Sequence, residues 1–434
     1  MSRHFEQAEV LRSWAHVETV LARVEADLGL IPRATAESIA NTARSDWVDV
    51  EAWEREHERV GHPLVAFINV FVRACGEPAE RYFHWGATSQ DIMDTALVLQ
   101  LQKAGELMLR DLDRLIDGLS ELATKHAATY MATRTNGQYA LPGTLGLRFA
   151  RWAAELARAE ERLRCVHRRS HLGQFYGASG TLASLGEHGP AVQRGLAESL
   201  GLELPPVNWH ASRDAMVELG TATGILAQSI RNVADGLFHM QRSEVAEIHE
   251  AHAEGQIGSS TMPHKRNPFA TMKISATAQT ALSAASDLLR MPAPDGDRDA
   301  GNLMFEGEAL ERCYISTHEA LEGLIDLLPR LVVDVHQLER NLETAGSASS
   351  SESVMMRLAN HVGRHKAHSI VHAAVTDSVA GNRALVDVLM EDARVSEHVD
   401  RIDLEHLLST RNYAGRAEEL THHTIAHLKT GKVS

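Results

Sequence analysis

The sequence predicts an all-α protein built around a bundle of long helices, and three observations carry that prediction. Prolines are few, and the 12 present leave proline-free stretches between Pro78 and Pro142, between Pro206 and Pro263, and from Pro329 to the end. Nothing there forces a helix to break for want of an N–H donor. Apolar residues recur in alternating steps of four and three, as in Met108, Leu112, Leu115, Leu119 and Leu122, and again in Leu219, Ala222, Leu226, Ile230, Val233 and Leu237. That spacing returns every side chain to one helical face, and it suits near-parallel bundle packing. No alternation of short strands with helices marks a parallel sheet.

At 434 residues, with 44% hydrophobic and 23% charged residues, the chain has the length for about three domains on the usual prior. Breaks in the pattern place an N-terminal helical domain at 1–105, a central helix bundle at 106–345 and a C-terminal helical domain at 346–434. The last begins at the Ser-rich run from Gly346 to Glu352, read as a linker and helix cap. A formal charge of −15 speaks against a nucleic-acid partner, which needs clustered Lys and Arg, although a local basic pocket could still hold a small anion. Cys75, Cys165 and Cys313 form no CxxC pair, so buried thiols are expected rather than disulfides or a zinc cage. The N-terminus lacks the apolar core of a signal peptide, and no run approaches the roughly 18 apolar residues of a membrane span. A cytoplasmic protein without membrane contact is expected.

Four polar, Gly-containing segments interrupt the helical pattern and carry more reactive side chains than a plain connection needs. In the first, His84-Trp85-Gly86-Ala87-Thr88-Ser89-Gln90-Asp91, Ser89 can cap a following helix, and Thr88 and Ser89 then offer hydroxyls beside free backbone N–H groups. This is either a carboxylate cradle or an ordinary helix start. The second runs Thr133-Arg134-Thr135-Asn136-Gly137-Gln138 and reads as a polar ligand site or a bare polar turn.

The third is the loop 255–268, in which two prolines, two glycines and paired serines stop a helix for about a dozen residues. A serine there acts as a base only if nearby positive charge and backbone donors lower its pKa. Lys265 and Arg266 can supply that charge; alternatively Lys265 clamps a substrate carboxylate while Asn267 donates a hydrogen bond. The fourth, Asp295 to Asn302, has alternating aspartates, but Ala300 stands where an EF-hand loop needs Gly, so no metal is expected. Arg298 is its candidate anion contact. His249 and His252, three apart on an expected helix, lack a third ligand.

Gly258-Ser259-Ser260-Thr261-Met262-Pro263-His264-Lys265-Arg266-Asn267-Pro268 matches every fixed position of Gly-Ser-Ser-x-Met-Pro-x-Lys-x-Asn-Pro, and on it the chain resembles the fumarase/aspartase superfamily. Gly363-Arg364 and Ala367-His368 look like the adenylosuccinate lyase branch. The stretches from His84 and from Gly177 look like the branch of 3-carboxy-cis,cis-muconate cycloisomerase. The resemblance implies a three-domain subunit, a homotetramer with a twenty-helix core, and active sites shared by three subunits. It implies no organic cofactor. By motif, Ser259 is the expected general base, with Ser260 and His84 completing the catalytic set. Thr88, Ser89, Gln90, Arg134, Thr135, Asn136, Gln138, Met262, Lys265, Asn267 and Arg298 are the expected contacts to a dicarboxylate or tricarboxylate.

Asn136 stands where adenylosuccinate lyase carries a histidine as its usual acid, and an amide donates no proton at neutral pH. Acid catalysis matters most for strongly basic leaving groups. A carboxylate, whose conjugate acid has a pKa near ~4, leaves unprotonated. The expectation is β-elimination from a substituted succinate with release of fumarate, for example of nitrite from nitrosuccinate. Cycloisomerase-type lactonisation is the alternative, though Leu303-Met304 replaces that enzyme's Trp-His pair. A non-catalytic structural or dicarboxylate-binding relative is a third reading, and it would not need Ser259. His62, or His84 itself, could supply a proton.

Overall fold

The computed structural model describes residues 1–251, 261, 262 and 264–431. Both predicted stripes lie on single long helices, Ser89–Lys125 of 37 residues and Asp214–Met240 of 27 residues. Met108, Leu112, Leu115 and Leu119 are fully buried, as are Leu226, Ile230, Val233 and Leu237. Helices Gln7–Asp27, Leu145–Arg169, Phe269–Leu289 and Ala300–Leu327 are long as well. No described helix is long and apolar enough to cross a membrane.

The chain clusters into two units. The first holds residues 1–112, 159–230 and 276–322, and its core is aromatic near the N-terminus. Trp14 meets Phe67 edge-on at 5.7 Å, and Trp47 meets Phe71 at 4.7 Å, arrangements that add to plain area burial. Small residues let its helices approach: a Cβ at Gly220 would stand 2.0 Å from Leu288 Cδ1. Cys313 is buried in this unit, whereas Cys75 and Cys165 are only half-buried.

The second unit holds 113–158, 231–275 and 323–434. Its C-terminal helices, Ser351–Val362 and Arg364–Gly381 among them, bury Val354, Leu358, Ile370 and Leu389 together. Here the all-helical expectation needs one refinement. The Thr133–Gln138 segment is the tip of an antiparallel hairpin, β1 (Tyr130–Thr135) with β2 (Gln138–Thr144). Asn136 and Gly137 have φ of 52° and 78°, the two positive values of a type I′ turn, for which Asn-Gly is the preferred pair. Pro142 is tolerated opposite Ala132, where the register shifts before Arg134. A second pair, β3 (Ile248–Glu250) with β4 (Leu331–Val333), is also antiparallel. His249 therefore stands on a strand, not on a helix, and His252 lies outside the described residues.

Candidate active site

In the first unit one buried carboxylate, Asp91, links Thr88 to the Gly177 segment that Arg298 contacts. Helix Ser89–Lys125 begins at Ser89 itself, so Thr88, one residue earlier than expected, holds the capping position. Asp91, three residues on, accepts from the Thr88 N–H at 3.0 Å in the manner of a capping box. The same carboxylate, fully buried, accepts from the N–H groups of Tyr176 and Gly177 at 3.0 and 2.9 Å and lies 3.0 Å from His210 Nε2. Gly177 in turn accepts from Arg298 Nη2 at 3.3 Å. Arg298 is thus one residue removed from the start of the Ser89 helix. Its buried Nε has no partner among the described residues. Asp299 caps the next helix by accepting from Asn302 N at 3.0 Å.

His84 precedes that helix with φ of 59°, in the left-handed region that histidine enters more readily than most residues. Its Nδ1 lies 2.5 Å from Oε1 of Glu18, whose side chain is 1% exposed against 18% for His84. Burial opposes charge on His84, but the carboxylates of Glu18 and Asp91 outweigh it and raise its pKa above the ordinary value. Gly86 closes the turn with φ of 71°, and a Cβ there would stand 2.6 Å from Leu185. Gln90 is buried, and its amide nitrogen is committed to Asp94 and the His210 carbonyl at 3.0 and 2.8 Å. Only its buried carbonyl oxygen is left without a partner among the described residues.

His62 is a helix cap: its Nδ1 accepts from Val65 N at 3.4 Å, and burial, with His57 adding, lowers its pKa. A neutral, accepting imidazole is a poor acid.

In the second unit, Thr135, Asn136 and Gln138 are exposed on the hairpin tip. Arg134 is spoken for differently: Nη2 donates at 2.8 Å to Glu247, whose side chain is fully buried, and the guanidinium lies 5.1 Å from the Tyr139 ring centre. It braces the hairpin. Ser259 and Ser260, with Gly258 and Pro263, lie outside the described residues. The flanks of the loop are nevertheless clamped. Glu250, at the end of β3, accepts from Ala270 N at 3.1 Å and from both the N–H and the hydroxyl of Thr271 at 3.0 Å. A carboxylate on the first turn of helix Phe269–Leu289 is favoured by the helix dipole. Met262 and Lys265 are exposed and Asn267 half-buried, with Lys265 N donating to the Met262 carbonyl at 3.0 Å.

Three residues that sequence reasoning did not single out hold these segments: Glu18 and His210 in the first unit, and Glu250 in the second. For Asp91, the spacing of three from Thr88 was a legible signal; for Glu18, 66 residues from His84, there was none. Below Asp91, Arg213 pairs with Asp94 at 2.9 Å and with Glu306, all three buried, and its guanidinium lies 4.7 Å from the Trp209 ring centre.

A family model described as "Lyase" matches residues 2–281, and one described as "Adenylosuccinate lyase C-terminus" matches residues 348–424. The chain is 36% identical to a 3-carboxy-cis,cis-muconate cycloisomerase of Bradyrhizobium diazoefficiens, over 96% of this chain and 93% of that one. It is 34% identical to an N-acetyl-S-(2-succino)cysteine lyase of Dickeya dadantii, over 95% and 90%. Among solved structures, the 3-carboxy-cis,cis-muconate lactonizing enzyme of Pseudomonas putida superposes with a TM-score of 0.89 at 32% identity, covering 98% of this chain and 96% of that one.

Proposed function

Because the chain belongs to the fumarase/aspartase superfamily of lyases, we propose that it eliminates a weakly basic leaving group from a substituted succinate and releases fumarate. Ser259 takes the proton beside a carboxylate, and the pair of electrons left behind is held as an aci-carboxylate. Thr88, Ser89 and Thr135 donate to that dianion, while Lys265, Asn267 and Arg298 hold the carboxylates. The carboxylates of Glu18 and Asp91 raise the pKa of His84, which favours positive charge at the Ser89 helix start; in the competing reading His84 is the proton donor.

The observation that carries this reading is Asn136, an amide on an exposed turn at the position of the usual acid histidine. Asn-Gly is the preferred pair for this turn, but histidine is also enriched in left-handed backbone, so the turn does not by itself exclude it. Whatever the turn favours, the amide supplies no acid at that position. Leaving groups that tolerate it include nitrite, a carboxylate and a thiolate, whose conjugate acid has a pKa near ~8.5. The relative named for a succinylated cysteine supports the thiolate. Cycloisomerisation is the second reading, supported by the 36% identical relative; there the departing or attacking group is a carboxylate, which needs no acid either. The assembly proposed is a homotetramer in which three subunits contribute to each site.

Replacing Ser259 with alanine tests the base. Turnover should fall by several orders of magnitude, the scale on which essential catalytic groups act, with the far-ultraviolet circular dichroism unchanged. Near-normal turnover would remove Ser259 from the role.

A further inference from the structure

Arg148 and Arg151 stand three apart on the first turns of helix Leu145–Arg169, so their side chains share a face. Both line a cavity of about 180 Å³ in the second unit, walled also by the β1–β2 hairpin and by residues 414–420. Neither guanidinium has a carboxylate partner or hydrogen bond among the described residues, unlike Arg134, held by Glu247, and Arg416, held by Glu419.

A partly buried cation without a paired counter-ion is costly, and two of the three neighbouring charges add to that cost. Burial pushes the Arg148 pKa down, Arg151 and Arg134 push the same way, and Glu247 alone opposes them. Oε1 of Glu247 is held by Arg134 and Asn341 at 2.8 and 2.9 Å, and its buried Oε2 has no hydrogen-bond partner among the described residues, so Glu247 does not bond Arg148. Thr144, buried on the same wall, accepts from Leu147 N at 3.3 Å, which leaves its hydroxyl hydrogen free to donate. On a chain of net charge −15, such a pocket is not part of a general basic surface.

We propose that this cavity binds a small doubly charged oxyanion, gripped by the Arg148 and Arg151 guanidinium forks and by the Thr144 hydroxyl, at a site separate from the residues assigned to the elimination. Planar guanidinium groups match the paired oxygens of phosphate or of a carboxylate, so the shared chemistry is the oxyanion and its source is either a phosphate or a dicarboxylate. The site rests on none of the residues assigned to catalysis.

Calorimetric titration of the full chain with inorganic phosphate, and in a second arm with succinate, tests the proposal against Arg151→Gln and the Arg148→Gln/Arg151→Gln double variant. Wild-type protein should bind at least one of the two ions at a site that weakens by about tenfold or more in Arg151→Gln, a loss of ~1.4 kcal/mol, and vanishes in the double variant. The tighter of the two ions identifies the source. Because Arg151 is exposed, the single variant carries the test even if the double one fails to fold. Succinate bound only at the elimination site would be indifferent to Arg151→Gln. Equal affinities in wild type and Arg151→Gln overturn the proposal. So does an absence of binding together with a changed oligomeric state in the variants, which would assign the arginines to a second copy of the chain.

Discussion

His84 shows how a single residue is tuned by a partner far away in sequence. Left-handed backbone costs a non-glycine residue on the order of 1 kcal/mol, and the 2.5 Å contact with Glu18 is what the conformation secures. The raised pKa fixes a sign: any activity that needs the imidazolium is present at low pH and is lost as pH rises through that pKa. In Glu18→Gln the alkaline fall of kcat/KM should therefore move to lower pH, measured on any turned-over substrate. A lower rate with an unmoved profile would make Glu18 a packing residue only. At this scale sequence reading singled out Thr88 and Ser89, which cluster in one segment, and Arg298 from its loop. It missed Glu18 because a glutamate within an ordinary helix carries no local mark of what it faces.

Among the elements, the hairpin and the clamp on the long loop matter most. The hairpin was half legible: Asn136-Gly137 is a turn signal, but the flanking β1 and β2 are too short and too close to a helix start to stand out from the helical pattern. The loop was recognised from its prolines and glycines, while the clamp was not, because Glu250 acts on a helix beginning 19 residues later, at Phe269. Glu250→Gln keeps the shape but gives up the charge that faces the helix N-terminus, a contribution of roughly 0.3–1 kcal/mol in exposed settings and more when buried. Faster amide hydrogen exchange at Ala270 and Thr271, with a lower kcat, is the expected outcome. Unchanged exchange would mean that the carboxylate does not hold the loop's flank.

For the whole molecule, the fold class was legible because it rests on period and punctuation: few prolines, and apolar residues spaced four and three apart, buried on Ser89–Lys125 and Asp214–Met240. Stability also has a pH dependence that no sequence pattern announces. Glu25 is 1% exposed, with Oε1 unpartnered among the described residues, and burial, aided by Glu18, pushes its pKa up to about 9. A carboxyl whose folded pKa is raised contributes fully below its unfolded value near ~4.3, and that contribution is lost as pH rises through the folded value. Thermal unfolding should show wild type and Glu25→Gln alike near the acid end and the variant more stable above neutrality. Parallel curves across the range would refute the buried, protonated Glu25.

The claim that joins these scales is that the missing acid restricts what can leave. Comparing initial rates of fumarate release from succinates bearing a thioether, a nitro group and an amine, at equal enzyme and saturating substrate, tests it most directly. The account predicts turnover of the thioether or nitro compound, with the amine slower by at least the ~100-fold that general acid catalysis typically supplies; efficient release from the amine alone would contradict it.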